Sequence, residues 1–266
     1  MEIGLLIIGD EILSGKRADQ HFPKVVELLA ARGLQLAWAE YLGDDPARIT
    51  ATLRRTLAGD GLVFSCGGIG ATPDDHTRQC AAAALGVPLL LHPQAQALIE
   101  ERIADVAREA GKPFDLQAPD NLQRLKMGEF PRGANIVPNP YNKIPGFGVQ
   151  GSGLGAHYFM PGFPVMAWPM IEWVLDTHYR HVFHQTTRLE KAVLVYDAME
   201  STLTPLMEVI EATFAQVKVF SLPYVGDAST RRHIELGVKG DPVQVEAAFV
   251  RLTAGLDALG AEYVPA

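Results

Sequence analysis

The sequence predicts an α/β protein: a mainly parallel sheet with helices on both faces, followed by a small α+β domain. Three observations predict it. Short apolar runs alternate with amphipathic helical stretches over the first 90 residues. Those runs end in loops of glycine and acidic residues. Beyond residue 188 the pattern changes to β-α-β-β-α-β, a split βαβ unit.

Leu5-Leu6-Ile7-Ile8 is too short for a helix and apolar at every position, as expected of a parallel strand buried on both faces. A helix is expected over residues 18 to 33, with Val25, Val26, Leu28 and Leu29 on its apolar face and Gly33 as its stop. The second strand reads as 34 to 42. Asp44-Asp45-Pro46 opens the next helix, with capping assigned to Asp45. Residues 61 to 65 form the third strand and run into Cys66-Gly67-Gly68-Ile69-Gly70. Thr72-Pro73-Asp74-Asp75 is expected to begin the helix that stops at Gly86. A further helix spans 93 to 110. Residues 113 to 156, rich in Pro and Gly, read as short strands and loops. A strand at 157 to 160 precedes a helix from Pro164 to about Tyr179, with Pro169 in its first turn or at a kink. The domains are 1–180 and 188–266. The second should contain strands at 189–196, 217–222 and 232–239, helices at 199–214 and 242–258, and a short end at Tyr263.

Composition excludes several classes. Of 266 residues, 48% are hydrophobic and 20% charged, enough apolar surface to offset the entropy of ordering the chain. The net charge of -8 disfavours a broad nucleic-acid surface. The second domain is acidic as well, with seven Lys or Arg against eleven Asp or Glu from residue 186 onward. It carries no Gly-x-x-Gly loop, so packing or dimerisation is its expected role. No apolar run of about 18 residues and no export signal is seen, so a membrane partner is not expected. Cys66 and Cys80 suit a reducing, cytoplasmic setting.

The strongest chemical signal is Ser65 to Thr77. Its glycines allow positive φ and close ligand approach, and loop amides beside a helix start can hold an anion. It is neither a Walker loop nor the dinucleotide fingerprint, because its spacing matches neither. The structural alternative is a glycine turn with an aspartate N-cap. Acid pairs at an anion site call for a divalent cation to offset their charge. Gly43-Asp44-Asp45 and Gly9-Asp10-Glu11 follow the second and first strands, hence the same carboxyl edge, where open α/β sheets bind ligands. Cys66 reads as a buried thiol, His76 as a helix-surface residue, Trp168 and Trp173 as packing residues, and His178, His181 and His184 as a helix face and linker.

Five motifs in order carry a resemblance: Gly9-Asp10-Glu11-Ile12-Leu13-Ser14-Gly15, the Gly-Asp-Asp-Pro at 43–46, the glycine loop through Thr77, Asn139-Pro140 with Pro145-Gly146, and Pro161-Gly162-Phe163-Pro164. Over about residues 1 to 175 the chain resembles the molybdopterin-binding domain superfamily, most closely the CinA-like (competence/damage-inducible protein A) N-terminal region, shared with the related domain of eukaryotic FAD synthase. The small domain resembles the KH-type domain that follows this module in CinA proteins. The amidase domain of full-length CinA is not among these residues, so nicotinamide-nucleotide deamidation is not expected.

The resemblance implies a three-layer fold and assigns roles. Asp44 and Asp75 correspond to the catalytic aspartates of magnesium-dependent nucleotidyl transfer, with Asp74 joining them as metal ligands. Gly67, Gly68, Gly70 and Thr72 match the phosphate loop. Asp10, Glu11 and Ser14 of the first loop, with Pro161 and Gly162, face the ligand. It further implies a divalent metal (Mg or Co), activation by K+, and a homo-oligomer. Two stretches depart from the family. Asn142 and Lys143, expected at the ligand, stand where Gly-Thr is usual; Lys143 would either bring a cation toward ligand phosphate or be a solvated loop lysine. Val165-Met166 replaces Ser-Glu, removing two polar groups from the crevice wall. The expected activity is metal-dependent hydrolysis of a nucleoside diphosphate derivative such as ADP-ribose. The alternatives are a non-catalytic molybdopterin- or nucleotide-binding protein and a molybdopterin adenylyltransferase.

Overall fold

In the computed structural model, residues 1–185, 189–227 and 229–266 are described. The chain divides into two units, Met1–Phe183 and His184–Ala266.

The first unit contains β1 (Ile3–Ile8), α1 (Asp10–Leu13), α2 (His21–Ala30), β2 (Trp38–Leu42), α3 (Pro46–Leu57), β3 (Leu62–Cys66), α4 (Thr77–Leu85), β4 (Leu89–Leu91), α5 (Pro93–Glu109), α6 (Pro119–Lys126), β5 (Glu129–Pro131), β6 (Asn135–Val137), β7 (Gly146–Gln150), β8 (Ala156–Met160) and α7 (Pro164–Val174). Its main sheet has the order β2-β1-β3-β8-β7-β6. The first four are mutually parallel, and β7 and β6 are antiparallel additions. β4 and β5 pair separately.

Three layers follow from the alternation of side chains along buried strands. Ile3, Leu5 and Ile7 of β1 join Phe64, Cys66 and Met160 against α2 and α7, which supply Val25, Leu28, Leu29, Ala167, Met170, Ile171 and Val174. Leu6 and Ile8 point the other way, into a core with Ile49, Leu53 and Leu57 of α3 and Cys80 and Ala81 of α4. Phe130, Phe147 and Phe159 stack in series there, with centroids 4.7 and 4.5 Å apart.

Several boundaries differ from the sequence expectation. β2 begins at Trp38 rather than 34, because Leu34 and Leu36 reach the core from an irregular segment. α4 begins at Thr77, since Thr72 to Asp75 close a turn of their own. α6 lies within the stretch expected to be strands and loops; it is short and mostly polar, and none of its residues is buried. The helix from Pro164 ends at Val174 and continues as a π turn over Leu175–Tyr179, with Pro169 inside it.

The second unit contains β9 (Leu189–Tyr196), α8 (Glu200–Thr213), β10 (Val217–Tyr224), β11 (His233–Gly240), α9 (Pro242–Ala258) and β12 (Tyr263–Pro265). Its strands are ordered β10-β11-β9-β12, all neighbours antiparallel, the split βαβ arrangement. Both helices bury one side on this sheet, α8 through Leu203 and Ile210, α9 through Val245, Ala248, Leu252 and Leu256. No helix among the described residues is long and apolar enough to cross a membrane.

Candidate functional site

Because β1, β2, β3 and β8 are parallel, the loops that follow them leave the same edge of the sheet. Register aligns their last residues: Ile8 opposite Leu42, Ile7 opposite Cys66, Cys66 opposite Met160. A cleft of about 390 Å3 opens there, lined by Gly9, Glu11, Arg17, Asp44, the run from Gly67 to Thr72, Asp74, Asp75, Met127, Pro161, Gly162 and Phe163. An adjoining recess of about 600 Å3 shares Glu11, Asp44 and Asp74 and adds Asp10, Leu13, Ser14 and Lys16.

The glycine loop is built by close approach. Gly67 donates to the Met160 carbonyl at 3.0 Å and has φ 112°; a Cβ there would sit 2.0 Å from the Ile8 carbonyl oxygen. Gly68 has φ 68°, and a Cβ would sit 2.1 Å from Thr77 Oγ1. Neither position admits a side chain. Among the described residues, the amides of Gly68, Ile69, Gly70 and Ala71 donate to no protein acceptor. Consecutive unpaired amides of this kind form an anion-binding concavity.

Asp75 folds back on the loop. Its Oδ2 accepts from the Thr72 amide at 2.8 Å and from the Thr72 hydroxyl at 2.5 Å, while the Asp75 amide donates to the Thr72 carbonyl at 3.1 Å. It therefore braces the turn and is not the N-cap of α4. Asp45 is the cap of α3, accepting from the amides of Ala47 and Arg48.

Asp10 and Asp44 join the first two loops reciprocally. The Asp10 amide donates to Asp44 Oδ2 at 2.9 Å, and the Asp44 amide donates to Asp10 Oδ1 at 3.2 Å. Two carboxylates approach because each rests on the other's amide. Burial pushes the Asp44 carboxyl up from its ordinary value, the Asp10 amide opposes this, and the charges of Asp10, Glu11 and Asp74 add to the rise. Glu11, Asp44 and Asp74 thus bring three carboxylates to the shared border of cleft and recess. Among the described residues no three acidic, His or Cys side chains are gathered at metal-ligand geometry.

Two expected ligand contacts are corrected. Lys143 is turned to α5, where its Nζ donates to Glu101 at 2.5 Å and to Asp105 at 2.6 Å. Those two carboxylates hold the ammonium more tightly than solvent would, and it does not line the cleft. Asn142 also stands outside the cleft. Its Oδ1 accepts from Asn139 Nδ2 and the Ile144 amide, and its Nδ2 donates to Met166 Sδ at 3.6 Å. Pro161 and Gly162 do line the cleft, and His21 Nε2 lies 3.0 Å from the Gly162 carbonyl, holding that loop beside Gly67. Asp10 and Ser14 reach the adjoining recess.

Sequence reasoning missed two arginines. Arg17 lines the cleft. Arg78, only 4% exposed, donates to the carbonyls of Gly70 (2.7 Å) and Lys126, tying the glycine loop to α6. An isolated arginine carries no motif, so neither had a signal. The other residues have structural partners. Cys66 is fully buried and its thiol is pushed up accordingly. His178 stacks on Tyr158 and meets Trp173 edge-on.

Comparison with known proteins agrees with this fold. The family described as "Probable molybdopterin binding domain" matches residues 4–181. A CinA-like protein of Anaeromyxobacter dehalogenans is 36% identical over 176 residues, 66% of this chain and 40% of that protein. A CinA-like protein of Gloeobacter violaceus is 31% identical over 274 residues, 97% of this chain and 59% of that protein. The chain thus spans about half the length of these curated relatives. The crystal structure of the CinA protein of unknown function from Thermoplasma acidophilum superposes with a TM-score of 0.55 at 25% identity, covering 66% of this chain and 98% of that one. The chain belongs to the molybdopterin-binding domain family, and its first unit is a CinA-like domain of that family.

Proposed function

We propose that the cleft binds a nucleoside diphosphate derivative, ADP-ribose being the first candidate, and hydrolyses its pyrophosphate with a divalent cation. One observation carries the reading: four unpaired amides, Gly68 to Ala71, line the same cleft as Asp44 and Asp74. The amides suit a phosphate in a protein whose net charge is -8, because they need no basic surface. Asp44 and Asp74 are the residues that would hold the cation, and Asp75, with Oδ2 committed to Thr72, keeps the loop in shape. When bound, the cation supplies charge neutralisation on pyrophosphate oxygens and a water acidic enough to be deprotonated near neutral pH. Release of AMP from ADP-ribose with Mg2+ or Co2+ tests this. Wild type should turn over, and Asp44→Ala should lose on the order of a hundredfold or more; no turnover by wild type overturns it.

A second reading is binding without catalysis, of molybdopterin or a nucleotide. Two observations favour it: the commitment of Asp75 to Thr72, and the exposed apolar Val165 (51%), at a position where the family resemblance implies a serine. Calorimetry with molybdopterin and AMP separates the two, since heat without product supports the binding protein.

A further inference from the structure

We propose that Arg17 reads the second phosphate of the ligand and makes the cleft select diphosphates over monophosphates; this rests on the nucleotide-binding reading above. Arg17 is the cationic residue among those lining the cleft, which also include Glu11, Asp44, Asp74 and Asp75. Yet among the described residues its guanidinium pairs with none of them. Each of three acids is engaged elsewhere. Asp44 accepts from the Asp10 amide, Asp75 accepts from Thr72, and Glu11 folds over Gly9, where a Cβ would meet its Oε2 at 2.5 Å. The segment carrying Arg17 is fixed by the Arg17 amide, which donates to the Glu11 carbonyl at 3.0 Å.

An unpaired guanidinium beside carboxylates is not there to neutralise them, and it remains available to an anion entering the cleft. The unpaired amides of Gly68 to Ala71 line the cleft and can together serve one phosphate group. A second phosphate would extend past that loop toward the rest of the cleft lining, where Arg17 stands. Arg17 offers it a planar fork of donors matched to two phosphate oxygens, on a surface otherwise negative. Lys16, one residue earlier, lines the adjoining recess.

The test is calorimetric titration of the full chain with ADP and with AMP, in Mg2+, for wild type and Arg17→Ala. Wild type should bind ADP about tenfold or more tightly than AMP, the range of one charge-assisted contact. Arg17→Ala should bring the two affinities together by weakening ADP and leaving AMP unchanged. The side chain is exposed, so the variant should fold, and its melting curve checks this. Equal weakening of both nucleotides, or an undiminished preference for ADP, overturns the role of Arg17. If ADP-ribose is still hydrolysed in that case, the proposed function stands without it. If wild type binds neither nucleotide, both readings fall.

Discussion

Two turns of the first unit differ in how they use their polar groups. The Ser65–Thr77 loop leaves its amides from Gly68 to Ala71 without protein acceptors and surrounds them with cleft. The Asn139–Gly146 turn satisfies itself. Buried Asn139 accepts from the Tyr141 amide and donates to Asn142 and the Ile144 carbonyl, and the Lys143 amide donates to the Asn139 carbonyl. Lys143 Nζ is spent on α5. Both turns carry resemblance to ligand-binding motifs. Motif spacing identifies a turn, whereas polar groups left over after folding identify a ligand site.

This contrast can be broken most severely at Gly68. Gly68→Ala puts a Cβ 2.1 Å from Thr77 Oγ1 at φ 68°, and it should abolish phosphate binding while costing at least about 1–3 kcal/mol of stability. Denaturant unfolding and AMP titration measure both. Asn139→Ala should divide the effects: a loss of about 1–3 kcal/mol for its broken hydrogen bonds, with AMP affinity retained. If AMP affinity falls as far as in Gly68→Ala, the second turn belongs to the site after all.

Smaller effects sharpen it. The Asp44 carboxyl is raised in the folded state, so the native protein holds its proton more firmly than the unfolded chain. Its unfavourable contribution is absent below the ordinary carboxylate value and sets in as pH rises through the folded value. Asp44→Asn should therefore raise the melting temperature at pH 7 without metal, and under the proposed function Mg2+ should raise that of wild type further but not that of the variant. A melting temperature lowered by the substitution would contradict the crowding of Asp10, Glu11 and Asp74 around it. Lys143→Met should do least: a small, salt-dependent drop in melting temperature and unchanged AMP affinity, because the ammonium serves Glu101 and Asp105 at the surface.

Much of the fold was legible because its signals are local. The all-apolar β1 could only be a strand covered on both faces, and Pro93 and Pro242 mark the first turns of α5 and α9. The edge on which Gly9, Gly43 and Gly67 gather follows from parallel strand order alone. What stayed hidden depends on where a side chain turns. Asp75 could have capped α4 but braces Thr72, Lys143 could have faced the cleft but faces α5, and Arg78 reaches Gly70 through the interior. Helix α6, without buried residues, is held by neighbours rather than by a pattern of its own.

The most direct measurement follows backbone amide resonances during titration with AMP. The resonances of Gly68, Ile69, Gly70 and Ala71 should move together and saturate, while those of Asn142 and Lys143 stay in place. Saturating shifts elsewhere, with that loop unmoved, would contradict a phosphate site made of bare amides.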